Sequence, residues 1–383
     1  MALKLLWLEP KVVFKGKGIV TSWGEEMERQ GWVLERDPAK WQECDLIFFG
    51  SDSQLEGNEA LVGQRPSLCY FWGWPPSRLL NHEFRLFAES RLSVMARSTR
   101  ILVPTPTVYD QCCNFGLPTQ ICEPGIDTSA LIPVEEGSML PRVVFISRLV
   151  QEKNLHLLLA AMSLLSPAPP LLVIGPGDKE IYQALASEYG LQVTFAEPDD
   201  TEKVQMLRAS TVLVHPSTYE GFALPPLEAL YNGVPVVALD TPHMRWMLQE
   251  DAYYFSSVKG LARTLADIFN NPRAAVERAN KGKERVRNYY TLEHASQRLW
   301  AHVHQVIKEF WAGVVRDDPS RWQEAYDAEH KRNWEYGGKT SPPEAAGPAR
   351  FDPTWARHWR STAIIEALKE CKADKVLDVG SGA

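Results

Sequence analysis

The chain has no apolar run near the roughly 20 residues of a membrane-spanning helix, so nothing in it reads as a span. It has no basic excess either. Lys and Arg total 41 against 48 Asp and Glu, a net charge of -7. Phosphate contacts need a basic face, so a general nucleic-acid partner is not expected. Cysteine is scarce. The six present (Cys44, Cys69, Cys112, Cys113, Cys122 and Cys371) form no C-x-x-C pair and no zinc spacing with histidine. Adjacent Cys112 and Cys113 hint at redox chemistry, but apolar packing in a reducing compartment is the commoner use. No repeat of solenoid length is present. The start, "MALKLLWLEPKVVF", is apolar but short; Lys4 and Lys11 interrupt it and no small-residue cleavage site follows, so it reads as a first buried strand rather than a signal peptide. These features place the protein in the cytoplasm, with peripheral contact at the inner face of the membrane left open.

What is there is an ordinary globular composition, 45% hydrophobic and 23% charged, over 383 residues. That length supports two domains, each with its own core. In the first third, "LKLLWLEP", "DLIFFG", "PSLCYFWGW" and "RILVPT" are apolar runs without alternation, the mark of strands buried on both faces of a parallel sheet. Helical stretches over 18–32 and 85–98 separate them. From Pro141 the β-α alternation is strict: "RVVFISRL", "LLVIGPGD", "QVTFAEP", "TVLVHPS" and "VPVVALD" are strands, each followed by a helix. The expected fold is α/β, with two facing Rossmann-like domains and ligands at the carboxyl ends of the strands. The boundaries read as 1–135, 136–290, a long amphipathic helix over 291–314, a polar linker over 315–360 and a last segment over 361–383.

Two constellations carry chemistry. In "VHPSTYEGFALPPLEALYNG", Glu220 lies in the loop after a strand, Pro225 and Pro226 start a helix, and Glu228 falls in its first turn. The backbone N–H groups of the 222–225 stretch lie at that helix start, a natural phosphate site. A carboxylate accepts two hydroxyl hydrogen bonds in a fork, which suits the vicinal diol of a sugar or ribose. The bland alternative makes Glu228 a favourable charge at a helix start and Glu220 a solvated one. In "FISRLVQEKN", Arg148 and Lys153 follow a strand and head a helix. Cations there oppose the helix dipole, and two of them would neutralise a departing diphosphate. His82 and His215 read as lone histidines in structural roles.

"SRLVQEKN", "LLVIGPGD" and "VHPSTYEGFALPPLEALYNGVPVVALD" together resemble the nucleotide-binding half of the family 4 retaining glycosyltransferases, which have the GT-B fold. The resemblance is sharpest over 142–256. It implies that Arg148 and Lys153 bind the donor diphosphate, that Glu220 contacts the transferred sugar, and that Glu228 binds the ribose. Gly221, Phe222, Ala223 and Leu224 would hold sugar and phosphate through their amides. Gly18, in "FKGKGIV", matches the glycine loop nearest the donor, and the 291–314 helix matches one that crosses back to the first domain. No metal and no cofactor are implied; the donor would be a UDP-sugar or GDP-sugar and the acceptor a glycan or lipid-linked hydroxyl. "EPGIDTSAL" resembles the segment that closes the first domain, with Pro124 where the family has Asn. Trp72 stands where the family commonly places a histidine near the donor sugar. Trp72 and Trp74 read equally as sugar-stacking surface or as core. "DKVLDVGSGA" resembles the first strand and glycine loop of class I S-adenosylmethionine-dependent methyltransferases, through Asp378, Gly380 and Gly382. It reads as the truncated start of a fused domain, with S-adenosylmethionine needed only there. Two other readings stay open: a non-catalytic nucleotide- or glycan-binding module, and a glycosyltransferase acting on modified DNA bases.

Overall fold

The computed structural model describes residues 3–10, 18–129 and 140–317, with side chains to residue 313. The expected boundary at 135/136, the 315–360 linker beyond residue 317, and the methyltransferase-like segment with Asp378, Gly380 and Gly382 lie outside the described residues.

The first domain contains β1 (Lys4–Leu8), α1 (Ile19–Arg29), β2 (Val33–Glu35), β3 (Leu46–Phe49), β4 (Ser67–Tyr70), α2 (Pro76–Leu79), α3 (His82–Met95), β5 (Arg100–Val103), α4 (Pro106–Cys113) and β6 (Thr119–Ile121). Its six strands are all parallel, in the order β2-β1-β3-β4-β5-β6. Every residue of β3 and β4 is buried, as unalternating apolar runs require when helices cover both faces. The expected helix over 85–98 starts earlier, because Asn81 caps it by accepting from the Phe84 amide.

The second domain runs β7 (Leu140–Ile146), α5 (Leu155–Met162), β8 (Leu171–Ile174), α6 (Glu180–Glu188), β9 (Val193–Ala196), α7 (Asp200–Arg208), β10 (Ser210–His215), α8 (Leu224–Tyr231), β11 (Val236–Leu239), α9 (Pro242–Leu248), β12 (Tyr253–Phe255), α10 (Val258–Asn270) and α11 (Pro272–Tyr289). Its sheet is also six-stranded and parallel, ordered β12-β11-β10-β7-β8-β9. The chain enters at β7, winds outward to β9, then returns to lay β10 on the other side of β7. The loops after β7 and β10 therefore leave the sheet in opposite directions. A crevice opens between them at the carboxyl edge.

The last helix, α12 (Leu292–Asp317), belongs to neither winding. Leu292, Ala295, Leu299, Val303, Val306, Ile307 and Trp311 are buried in the first domain's core with Leu5, Trp7, Trp23 and Phe48. Each Leu- or Val-sized side chain there is worth about 1.5–3 kcal/mol of burial. The crossing point is tight: the Ile126 amide donates to the Tyr290 carbonyl at 2.7 Å and the Leu292 amide to the Ile126 carbonyl at 3.2 Å. Beside it, a Cβ on Gly125 would stand 2.4 Å from the Thr291 carbonyl oxygen. Gly125→Val should therefore cost about 1–3 kcal/mol of stability in urea unfolding, since the atom in the way is backbone and cannot swing aside.

Candidate active site

Lys153 and Glu220 come from the two loops that flank the crevice, and they meet. Lys153 Nζ lies 2.7 Å from Glu220 Oε1, with both side chains largely buried. The turn that carries Lys153 is stitched to the Glu220 loop along its length. The Asn154 amide group donates to the Pro216 carbonyl at 2.9 Å, Lys153 Nζ to the Tyr219 carbonyl at 3.2 Å, and the Thr218 amide to the Glu152 carbonyl at 3.0 Å. Asn154 holds a left-handed backbone, φ 53°, which asparagine tolerates better than most residues and which turns Lys153 inward.

His215, the last residue of β10, completes the cluster. Its Nε2 lies 2.9 Å from Glu220 Oε1, ion-pair distance but off the line of a straight hydrogen bond. This corrects the reading of His215 as a lone structural histidine; His82, by contrast, is exposed at the start of α3. Burial pushes the Glu220 carboxyl up, but His215 and Lys153 outweigh it and hold the group at about 2. Glu220 is thus ionised across the physiological range. Its neighbour Tyr219 goes the other way, with burial pushing the phenol up to about 12.

Arg148 stands apart. It is exposed just past β7 and makes no ion pair among the described residues. The "GPG" turn after β8 sets its position. A Cβ on Gly175 would come within 2.0 Å of the Ser147 carbonyl oxygen, and the Leu149 amide donates to the Pro176 carbonyl at 2.8 Å. Only glycine lets the two turns lie that close.

Glu228 is the fifth residue of α8, not in its first turn. The helix-start account of its charge therefore does not hold. Lys203 of α7 pairs with it at 3.2 Å, while Oε2 is buried with no hydrogen-bond partner among the described residues. Glu228 lines a cavity of about 360 Å³ with Asp127, Ser129, Lys203 and, from the first domain, Ile19 and Ser22 of α1. Gly18 precedes that helix as its cap residue. Glu220 and Glu228 thus belong to two neighbouring subsites, each with its own lysine. Between them lies the start of α8, which no side chain caps among the described residues. Since Pro225 has no N–H, the donors offered there are the amides of Phe222, Ala223 and Leu224.

The first domain closes on this loop. A Cβ on Gly221 would stand 2.2 Å from the Trp72 carbonyl oxygen; Gly73, at φ 81°, leaves room for the Tyr219 hydroxyl; and Thr105 Oγ1 donates to the Gly221 carbonyl at 3.3 Å. Trp72 spends its indole N–H on the Gly50 carbonyl at 3.0 Å and packs against the cores of both domains. Trp74 is buried edge-on against Phe71 and Phe84. Trp74 is therefore core, and Trp72 is a domain-interface residue whose ring packs into both cores while its carbonyl faces Gly221.

Residues 133–288 match the family model described as Glycosyl transferases group 1. Over that stretch the chain is similar to group 1 glycosyltransferases, and its two six-stranded parallel sheets are those of the GT-B fold. The D-inositol 3-phosphate glycosyltransferase of Mycolicibacterium smegmatis is 27% identical over 262 residues, covering 62% of this chain and 58% of that one. The chain spans about half the length of the curated relatives it matches. Among solved structures, the sucrose-phosphate synthase of Thermosynechococcus elongatus superposes with a TM-score of 0.68 at 18% identity, over 79% of this chain and 99% of that one. HepE of Anabaena, in complex with UDP-glucose, gives 0.65 at 16%, over 79% and 100%. At such identity these two speak for the fold. The group 1 match includes the Lys153, Glu220 and Glu228 subsites and leaves Gly18, Trp72 and α12 outside it. No helix among the described residues is long and apolar enough to cross a membrane.

Sequence reasoning missed that His215, Asn154 and His243 lie with this cluster. His243, second in α9, is buried, and burial lowers it to about 4, with the Glu220 charge pulling the other way. The usual value is about 6.5, so between those limits the unfolded chain binds a proton that the folded one refuses. Stability should therefore rise with pH across that window. Thermal melts from about pH 7 to about pH 4.5 should show a falling Tm, and His243→Phe should remove part of that slope.

Proposed function

We propose that the protein is a retaining glycosyltransferase of family 4 type. It moves a sugar from a UDP-sugar or GDP-sugar to a hydroxyl on a glycan or lipid-linked acceptor, in glycan or surface polysaccharide biosynthesis. The observation that carries this reading is the buried contact of Lys153 and Glu220 across the sheet's switch point, beside the uncapped start of α8. A diphosphate suits the cationic side of that crevice, with Lys153, Arg148 and the amides of Phe222, Ala223 and Leu224 as its partners. The carboxylate of Glu220 then faces the transferred sugar, and that of Glu228 the ribose diol.

In the reaction, the bond from the anomeric carbon to the diphosphate breaks and a bond to the acceptor oxygen forms on the same face. The acceptor's proton ends on the departing diphosphate. The cations act where negative charge develops, which is where such groups lower a barrier most. Closure of the Trp72 segment over Gly221 keeps water from competing with the acceptor. These roles need no metal. The reading places the work in the cytoplasm, with the membrane face as a setting if the acceptor is lipid-linked.

Nucleotide release from UDP- and GDP-sugars tests the activity. Glu220→Gln and Lys153→Ala should each lower turnover by about 10²–10³-fold; unchanged turnover would remove the site assignment, and binding without any release would favour a non-catalytic module. Gly221→Ala should separate closure from binding. Its methyl group displaces the Trp72 carbonyl, so turnover should fall while calorimetric affinity for the free nucleotide holds.

A further inference from the structure

Two polar side chains beside the Lys153–Glu220 cluster have no hydrogen-bond partner among the described residues. Ser217, 2% exposed, leaves its Oγ without a hydrogen-bond partner among the described residues, and His243, 8% exposed, leaves both Nδ1 and Nε2 so. Buried polar groups are nearly always satisfied in native proteins, so a buried group left without a partner beside a site calls for one. Neither group is needed by its own element. Thr241 caps α9 by accepting from the Met244 amide, and Ser217 lies past the end of β10.

Their placement follows from strand order. β10 and β11 are neighbours, with His215 opposite Ala238, so the segments after both strands rise at the same edge of the sheet. Ser217 lies three residues before Glu220, and the charges that act on His243 are those of Glu220, His215 and Lys153. The two unpartnered groups therefore belong to the sugar side of the crevice, away from the Glu228–Lys203 subsite.

We propose that His243 and Ser217 recognise hydroxyl groups of the transferred sugar, and that this sugar is uncharged. The proposal rests on the donor reading above and deepens it. A neutral imidazole offers one donor and one acceptor, and a serine hydroxyl offers both, which matches the dual character of sugar hydroxyls. A sugar carboxylate is acceptor-only and would be set beside the ionised Glu220, where like charge opposes it. His243 and Ser217 thereby decide which sugar is held, while the Glu228 subsite decides the nucleotide.

Calorimetry and donor hydrolysis without acceptor test this on wild type, His243→Phe and Ser217→Ala, using UDP-glucose, UDP-galactose, GDP-mannose and UDP-glucuronate, with UDP and GDP as references. In the wild type a neutral-sugar donor should be used best, and UDP-glucuronate at least tenfold less well in kcat/KM. His243→Phe should lose at least tenfold in turnover and the affinity that the sugar adds over the free nucleotide. Its affinity for UDP or GDP should stay within twofold, and its Tm should match or exceed the wild type, because two unpartnered buried atoms are gone. Ser217→Ala should show the same split, more weakly. Three results would overturn the proposal: unchanged turnover in both variants, a Tm and nucleotide affinity that fall with turnover as for a packing or water-binding residue, or UDP-glucuronate as the preferred donor. If the wild type neither binds nor hydrolyses any of the four donors, the donor reading itself falls and takes this proposal with it; wild-type turnover with unaffected variants removes only this proposal.

Discussion

Glu220 is a carboxylate buried at the end of a parallel sheet, and a buried charge must be paired or it neutralises. The pairing with Lys153 and His215 organises everything around it. Breaking such a pair leaves an uncompensated charge at a cost of about 3–5 kcal/mol, so the loop after β10 and the turn after β7 hold one another in place. The side-chain bonds of Asn154 and Lys153 to backbone carbonyls, with the Thr218 amide bond to Glu152, fix that geometry. Because the lysine is paired with a carboxylate, its charge is already compensated within the protein. On the proposed function, the exposed Arg148 would attract an anion from solvent and Lys153 would meet it inside.

The second organising constraint is closeness of backbone. Gly175 and Gly221 lie where a methyl group would strike a carbonyl oxygen, one within the second domain and one between the two domains. The first sets the Arg148 segment on its neighbouring turn. The second lets a first-domain carbonyl sit directly over the loop of Glu220. Trp72 is anchored from behind through Gly50, so the approaching carbonyl is held by a fixed ring rather than by a mobile loop.

Much of this was legible in the residues. The buried strands announced themselves as unalternating apolar runs, and the strict alternation after Pro141 implied the parallel sheet. What escaped was short or relational. β2, β6 and β12 are three-residue edge strands, too short to print any period. Arg148, Lys153 and Glu220 could be placed after strand ends, and Glu228 in the helix that follows, because each sits in a local pattern. The partnership of His215 with Glu220 depends on how four intervening residues turn back, and the nearness of His243 depends on β10 and β11 being neighbours. Neither fact is local. The one available hint was position: a histidine as the last residue of a strand that feeds a site loop stands where ligands gather in this class of fold. Glu228 slipped by one residue, out of the first turn, because the helix begins at Leu224, ahead of the prolines taken as its start.

The crossing of α12 has a consequence in time. The first domain's sheet is complete in sequence at Ile121, yet its core includes Leu299, Val303 and Trp311. A nascent chain that has just finished β6 therefore presents Trp7, Trp23 and Phe48 to a face whose cover is not yet made. At about 5–20 residues per second, synthesis needs on the order of ten to forty seconds more before that cover exists. The second domain, whose buried core residues among those described run from Ile126 to Tyr290, is translated within that interval. The domain made first is thus the one finished last, and the protein's exposure to chaperones and proteases during birth is set by one helix at the end of the fold.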